Sequence, residues 1–171
     1  MLVIRAESPQ DRALIDKLNR VVFAGHIEAD LIEKLRAGGL VVSSLVAVAD
    51  AGIVGHILFS DLDVRMDGRW VAAVSLAPMA VRPGEQRRGI GSQLVRAGLD
   101  DLRHKGRMAV LVLGHPAYYP RFGFSAELAR KLSSPYAGPA FMALELVPGA
   151  LAGKGSTVRY PPMPSAPDAC D

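Results

Sequence analysis

The sequence predicts an α/β (α+β, mixed-sheet) fold: an antiparallel meander of three strands, then a strand–helix–strand crossover giving a parallel pair, with flanking helices. Two observations predict it. Three long runs, 40–49, 53–62 and 69–81, are rich in Val, Ile and Leu and are separated by the turn signals Asp50-Ala51-Gly52 and Asp67-Gly68. The run Gly89 to Lys105 then carries Ile90, Leu94, Val95, Leu99 and Leu102 at helical spacing, and Met108 to Leu113 after it is almost wholly apolar, as a central strand would be.

The remaining elements follow in chain order. Leu2 to Glu7 predicts a short strand. Ser8-Pro9-Gln10-Asp11 predicts a helix start, with Ser8 as N-cap, Pro9 at the first position and a carboxylate where the helix dipole favours it. Leu14, Ile15, Leu18, Val21 and Val22 form the first helix's apolar set. Ile27, Leu31, Ile32 and Leu35 form that of a second helix, which Gly38-Gly39 ends. Pro78 cannot donate to a ladder and predicts a bulge or break in the third long strand. His115 to Phe122 predicts a short helix ended by Gly123, and Phe141 to Val147 a last strand. From Pro148 onward Gly and Pro dominate, so the expected organisation is one domain over 1–147 and a Pro/Gly-rich extension over 148–171, an extended strap or a disordered end.

Composition excludes several classes. Of 171 residues, 50% are hydrophobic and 22% charged, which suits a packed core rather than a disordered chain. The single cysteine, Cys170, excludes a disulfide framework or cysteine-based metal site within one chain. No His-Glu-x-x-His or comparable ligand spacing occurs, so no metal is expected. The N-terminus lacks a signal-peptide pattern, and no apolar run reaches membrane-spanning length, so the expectation is a cytoplasmic protein with no membrane partner. The formal charge is only +3, and Arg82, Arg87, Arg88 and Arg96 cluster locally. That pattern suits a small anion better than the extended basic face a nucleic acid needs.

The segment Val81-Arg82-Pro83-Gly84-Glu85-Gln86-Arg87-Arg88-Gly89-Ile90-Gly91-Ser92 joins a strand to a helix. N–H groups at a helix start point outward together, and the helix dipole adds positive potential, making an anion site. Gly89 and Gly91 remove Cβ atoms that would keep a phosphate away. Taken alone, this turn is equally well a tight strand–helix connection with solvated arginines. Gly-Lys-Ser/Thr is absent and the glycine spacing is not that of the dinucleotide fingerprint.

Leu76-Ala77-Pro78-Met79-Ala80-Val81-Arg82-Pro83 followed by Gln86-Arg87-Arg88-Gly89-Ile90-Gly91 resembles motif A of the GNAT acetyltransferase superfamily. Tyr118-Tyr119-Pro120-Arg121-Phe122-Gly123-Phe124 resembles its motif B. Both occur in the right order around the right helix and strand, and the resemblance runs from about Leu2 to Val147. Within the superfamily the chain looks most like small N-acetyltransferases that carry Tyr-Tyr-Pro-Arg-Phe-Gly-Phe.

The resemblance implies a GNAT fold whose parallel strands splay around acetyl-CoA, the co-substrate. It implies that the main chain of Met79, Ala80 and Val81 meets the pantetheine arm, and that Gln86, Arg87, Arg88, Gly89, Ile90, Gly91 and Ser92 hold the pyrophosphate. It implies direct attack by a primary amine, with Tyr119 as acid to the departing thiolate; a phenol of ordinary pKa near 10 carries the needed proton. Packing alone is the competing account of Tyr119, as it is for Tyr118, Phe122 and Phe124.

No general base is identified. The third long strand carries no carboxylate. His26, His56 and His115 are candidates, His115 the best placed because it lies just before Tyr118, and each is more simply a turn or core histidine; Glu28 and Glu33 read most simply as a solvated helix face. The alternative reading is a non-catalytic acyl-CoA-binding or sensing module of the same fold. Phe23, His26, Tyr136, Phe141 and Tyr160 are candidate linings of an acceptor pocket for a small-molecule or peptide amine. The chain is expected to be a monomer or a homodimer.

Overall fold

The computed structural model describes residues 1–161. Its strands are β1 (Val3–Ala6), β2 (Val41–Ala49), β3 (Gly52–Met66), β4 (Arg69–Val81), β5 (Ala109–Leu113), β6 (Phe141–Glu145) and β7 (Ser156–Arg159). They form one sheet in the order β1-β2-β3-β4-β5-β6, with β7 also pairing on β3. β1/β2, β2/β3 and β5/β6 are antiparallel. The crossover through α3 (Ile90–His104) makes β4 and β5 parallel, as the sequence predicts. That register runs from Ala73↔Ala109 to Leu76↔Val112, and β4 continues beyond it to Val81.

The β3–β4 hairpin turns on Asp67 (φ +51°) and Gly68 (φ +78°), the two left-handed residues that a two-residue hairpin loop requires. Of the bulge or break expected at Pro78, a break is absent: β4 runs from Arg69 to Val81, with the Ala77–Pro78 peptide cis. Pro78 lies past the last register pair with β5, so its missing N–H costs that ladder no bond.

The chain divides into two compact units: residues 1–60 with 77–101, and residues 61–76 with 102 onward. In the first unit the chain enters α1 (Arg12–Val22) through a 3₁₀ turn at Pro9–Asp11. Ser8 donates its main-chain N–H to Asp11 Oδ2 at 2.7 Å, and Arg5 grips the same carboxylate at 2.7 and 3.1 Å. The Arg5 guanidinium, then the Ser8 N–H, hold the Asp11 carboxyl well below the usual carboxylate range.

The buried side of α1 is Ile15, Leu18 and Asn19, whereas Leu14 and Val21 are 52% and 56% exposed. The apolar set read from the sequence is wider than one face: Leu14 and Val21 lie roughly 100–120° around the helix from Ile15. Asn19 takes a buried place because its Nδ2 donates to the Ile15 carbonyl at 2.9 Å. In α2 (Ile27–Ala37), Glu28, Ala29, Ile32 and Leu35 are buried, and Ile27 is exposed. Gly39 (φ +67°) follows, and the Leu40 N–H returns to the Leu35 carbonyl at 2.9 Å, closing the helix.

The second unit has its own core, in which Leu62, Val64, Met66, Val71, Leu111, Leu132, Phe141 and Leu151 are buried. A short helix that the sequence reading does not contain, α4 (Ala126–Arg130), starts at Ser125, whose Oγ accepts from the Leu128 N–H at 3.0 Å. Within the segment after Pro148, β7 pairs with Asp63–Met66 of β3. Asp67 clasps the approach to β7, accepting from the Gly155 N–H at 2.7 Å and the Lys154 N–H at 3.2 Å. The Pro-rich run from Pro162 and Cys170 lie outside the described residues.

Candidate functional site

Three contacts within the first unit set the turn that leads into α3. The Arg82 N–H donates to the Val54 carbonyl at 2.8 Å, and its guanidinium to the Ile53 carbonyl at 3.0 Å. Gly55 lets α3 approach β3, since a Cβ there would stand 3.0 Å from Leu94 and 3.2 Å from Ile90. Between these anchors run a 3₁₀ turn at Pro83–Glu85 and then Gln86 to Gly89.

Arg87 (φ +63°) and Gly89 (φ +81°) are both left-handed. Left-handed residues interleaved in a turn swing successive N–H groups toward one concave side, a shape that attracts anions. Among the described residues, the N–H groups of Arg87, Arg88, Gly89, Ile90 and Gly91 have no main-chain acceptor. Helix bonding first appears where the Gln93 N–H reaches the Gly89 carbonyl at 3.0 Å. A Cβ on Gly89 would meet nothing, so its glycine answers to backbone conformation.

The side chains around this turn are also placed. Gln86, Arg87 and Arg88 are exposed and Ser92 half-buried. Arg88 pairs with Glu85 at 3.2 Å, while Arg87 meets no carboxylate among the described residues. Gln86 Nε2 donates to the Val81 carbonyl at 3.0 Å, folding the turn back on the end of β4. Ala80 is buried; Met79 and Val81 are half-buried. The unsatisfied donors and unpaired guanidinium suit a phosphate-bearing ligand, and one helix start supplies both.

In the second unit, Tyr119 opens a 3₁₀ turn, Tyr119–Phe122, that Gly123 ends at φ +100°. The predicted helix from His115 is thus reduced to this turn, because Pro116 and Pro120 remove donors. The His115 carbonyl accepts from the Tyr118 and Tyr119 N–H groups at 3.1 and 3.4 Å. Tyr119 is 6% exposed. Its ring meets Tyr118 edge-on at 5.1 Å and Phe124 at 5.6 Å between centroids. Arg121 folds back over Tyr118, its guanidinium 4.4 Å from the ring centroid.

The candidate bases separate. His56 is fully buried, with Nε2 2.9 Å from Ser44 Oγ and Nδ1 without a partner. Burial, with a smaller push from Arg36, lowers its pKa to about 3, so it is a neutral core group across the working pH range. His26 is exposed and 2.7 Å from Asp30, and His115 is exposed. Glu33 is exposed and pairs with Arg36, but Glu28 is buried, which corrects its reading as a solvated face. Its place in the first turn of α2 is where the helix dipole favours a carboxylate.

Of the residues read as acceptor linings, Phe141 is instead a core residue at 1% exposure. Tyr136 and Tyr160 meet edge-on at 4.8 Å and pack against the same core. Burial pushes the Tyr160 phenol well above its usual range. Phe23 is half-buried at the end of α1.

The Acetyltransferase (GNAT) domain family model matches residues 13–126. The chain is 39% identical over 163 residues to the uncharacterized N-acetyltransferase YhbS of Escherichia coli, covering 93% of this chain and 96% of that protein. The chain belongs to the GNAT acetyltransferase family. The crystal structure of E. coli YhbS in complex with CoA superposes with a TM-score of 0.83 at 38% identity, covering 93% of this chain and 89% of that one. A GNAT family acetyltransferase from Brucella melitensis in complex with acetyl-CoA gives 0.76 at 33% identity, covering 94% and 96%. The GNAT chain is therefore an acetyl-CoA-dependent N-acetyltransferase with acetyl-CoA as co-substrate. Among the described residues no group of three His, Cys, Asp or Glu side chains could hold a metal, and no helix is long and apolar enough to cross a membrane.

Proposed function

We propose that this GNAT enzyme transfers acetyl from acetyl-CoA to a primary amine by direct attack in a ternary complex, and that it belongs to the subgroup carrying Tyr-Tyr-Pro-Arg-Phe-Gly-Phe. The observation that carries the reading is the turn from Arg87 to Gly91, whose N–H groups have no main-chain acceptor among the described residues, beside an unpaired Arg87 guanidinium. Acetyl-CoA supplies the activated acetyl group. The N–H groups of 87–92 and Arg87 bind its pyrophosphate, with Arg88 and Gln86 beside them, and the main chain of Met79, Ala80 and Val81 orients the pantetheine. Gln86 already occupies one side of the Val81 carbonyl, so the Val81 N–H and Met79 main chain remain the better contacts.

In this reading the amine nitrogen bonds to the thioester carbonyl carbon, the carbon–sulfur bond breaks, and the thiolate takes the phenolic proton of Tyr119. The amine's surplus proton leaves to water: His56 is buried against Ser44 and, with a pKa lowered to about 3, is too weak a base, and β4 carries no carboxylate. We place the enzyme in the cytoplasm, as a monomer or homodimer, with a catalytic domain over 1–147 and a 148–171 extension that contributes β7.

The missing carboxylate on β4 also favours a second reading, an acyl-CoA-binding module without turnover. Thiol release from acetyl-CoA against a panel of lysine, spermidine, tyramine and glycyl peptides, beside calorimetric titration with CoA, separates the two. Turnover of at least one amine, reduced more than tenfold in Tyr119→Phe with CoA affinity kept, is the expected result. CoA binding with no turnover on any amine would favour the module, and unchanged turnover in Tyr119→Phe would remove the acid.

A further inference from the structure

We propose that Gly114 is a positioning residue for Tyr119: the absence of a side chain at the end of β5 is what lets the phenol ring seat where it does. The proposal rests on the acid role assigned to Tyr119 above. Gly114 is buried just past Leu113, and its N–H donates to the Ala140 carbonyl at 2.9 Å. Its backbone does not adopt the left-handed conformation that Gly123 adopts nearby, so its glycine does not answer to a positive φ. The demand is spatial. A Cβ at Gly114 would overlap Tyr119 Cε2 and stand 2.9 Å from Cδ2 and 3.4 Å from Cζ, the carbon that carries the hydroxyl.

The ring cannot slide away freely. Tyr118 and Phe124 pack against it edge-on, at 5.1 and 5.6 Å, and it is 6% exposed. Ordinary carbon–carbon contact would require a displacement on the order of 1 Å. An acid must reach the leaving atom within hydrogen-bond distance, and a misplacement of that size costs up to about 100-fold in rate.

The test compares Gly114→Ala, Tyr119→Phe, the double variant and Phe124→Leu, the last releasing the ring from a different contact. Thiol release from acetyl-CoA is followed with the best amine of the panel, and CoA affinity by calorimetry. Gly114→Ala is expected to lower kcat by about tenfold to 100-fold. Its KM for acetyl-CoA and its CoA affinity should stay within about twofold. In the Tyr119→Phe background the same change should cost less than about twofold, because no phenolic proton is left to misplace.

Phe124→Leu should lower kcat with the same KM-against-kcat split, which keeps the proposal testable if Gly114→Ala does not fold. A Gly114→Ala enzyme with parental kcat, equal losses with and without the phenol, or a Phe124→Leu enzyme with unchanged kcat would overturn the positioning role while leaving the acid intact. A parent that turns over no amine, or an unimpaired Tyr119→Phe, would overturn both.

Discussion

Replacing Gly98 with alanine sets two effects of opposite sign against each other. Gly98 lies inside α3, where alanine is favoured over glycine by about 1 kcal/mol. It also faces Phe59 of β3. A Cβ at Gly98 would overlap Phe59 Cε2 and stand 2.6 Å from Cζ, and Phe59 is fully buried. The ring would have to move by on the order of 1 Å in a packed interior, and overpacking of this kind costs about 1–3 kcal/mol and sometimes more. Against a fully buried ring the packing cost lies at the upper end of that range, about 2–3 kcal/mol, which leaves a net loss of about 1–2 kcal/mol. A chain of this size loses about 2–4 °C of Tm per kcal/mol, so Gly98→Ala should melt about 2–8 °C lower. Calorimetry or urea unfolding at pH 7 checks it. A second change, Phe59→Leu, should relieve the overlap, making the pair less destabilising than the sum of the singles. An unchanged or raised Tm for Gly98→Ala would refute the reasoning, since it would mean that the ring yields at no cost.

Two further outcomes concern His56 and Arg87. Burial lowers the folded-state pKa of His56 to about 3 from an ordinary 6.5, so below pH 6.5 the unfolded chain binds a proton that the fold refuses. The stability contribution is whole above that pH and is lost as pH falls toward 3, amounting to about 2 kcal/mol between pH 7 and 5. Urea titrations at both pH values should show this slope in the parent and lack it in His56→Gln; an equal slope in both would exclude His56 as its source. Arg87→Ala retains a Cβ at the same φ, so stability should hold within about 0.5 kcal/mol. The KM for acetyl-CoA should rise about two- to fivefold and depend less on salt than in the parent; a KM and salt dependence equal to the parent's would remove Arg87 from the pyrophosphate contacts.

The parts of the molecule that were legible in the sequence are those with a local cause. Asp67-Gly68 marks its hairpin because few residue pairs tolerate two left-handed positions in succession. The Arg87–Gly91 turn stands out because its glycines lie at a strand–helix junction, where the sequence reading gives them the role of admitting a phosphate; the left-handed conformation of Gly89, φ +81°, is a second reason that only the fold shows. Tyr119 was singled out by motif, and its burial among rings is compatible with both roles weighed for it. What escaped depends on partners distant in sequence. Asn19 is buried while Leu14 and Val21 are exposed, because the inward direction of α1 is set by what it packs on rather than by hydropathy alone. Glu28 reads as a charge on a polar face, and only the fold shows it buried. β7 escaped because Ser156-Thr157-Val158-Arg159 has one buried residue, Val158, and its strand state comes from pairing with Asp63–Met66. Gly114 likewise carries no local signal, since its constraint is a ring five residues away.

The clasp between Asp67 and Gly155 spans 88 residues of sequence, and that separation governs how the chain is made as well as how it is held. Asp63–Met66 leaves the ribosome long before Ser156–Arg159, its partner across the ladder. At ordinary rates of synthesis the interval is on the order of ten seconds. During it the second half of β3 presents uncovered N–H and C=O groups, a template that another nascent chain could occupy. The arrival of β7 is thus a late act of protection. Conditions that slow translation of the last stretch should lower the yield of soluble protein more than equal delays near the N-terminus.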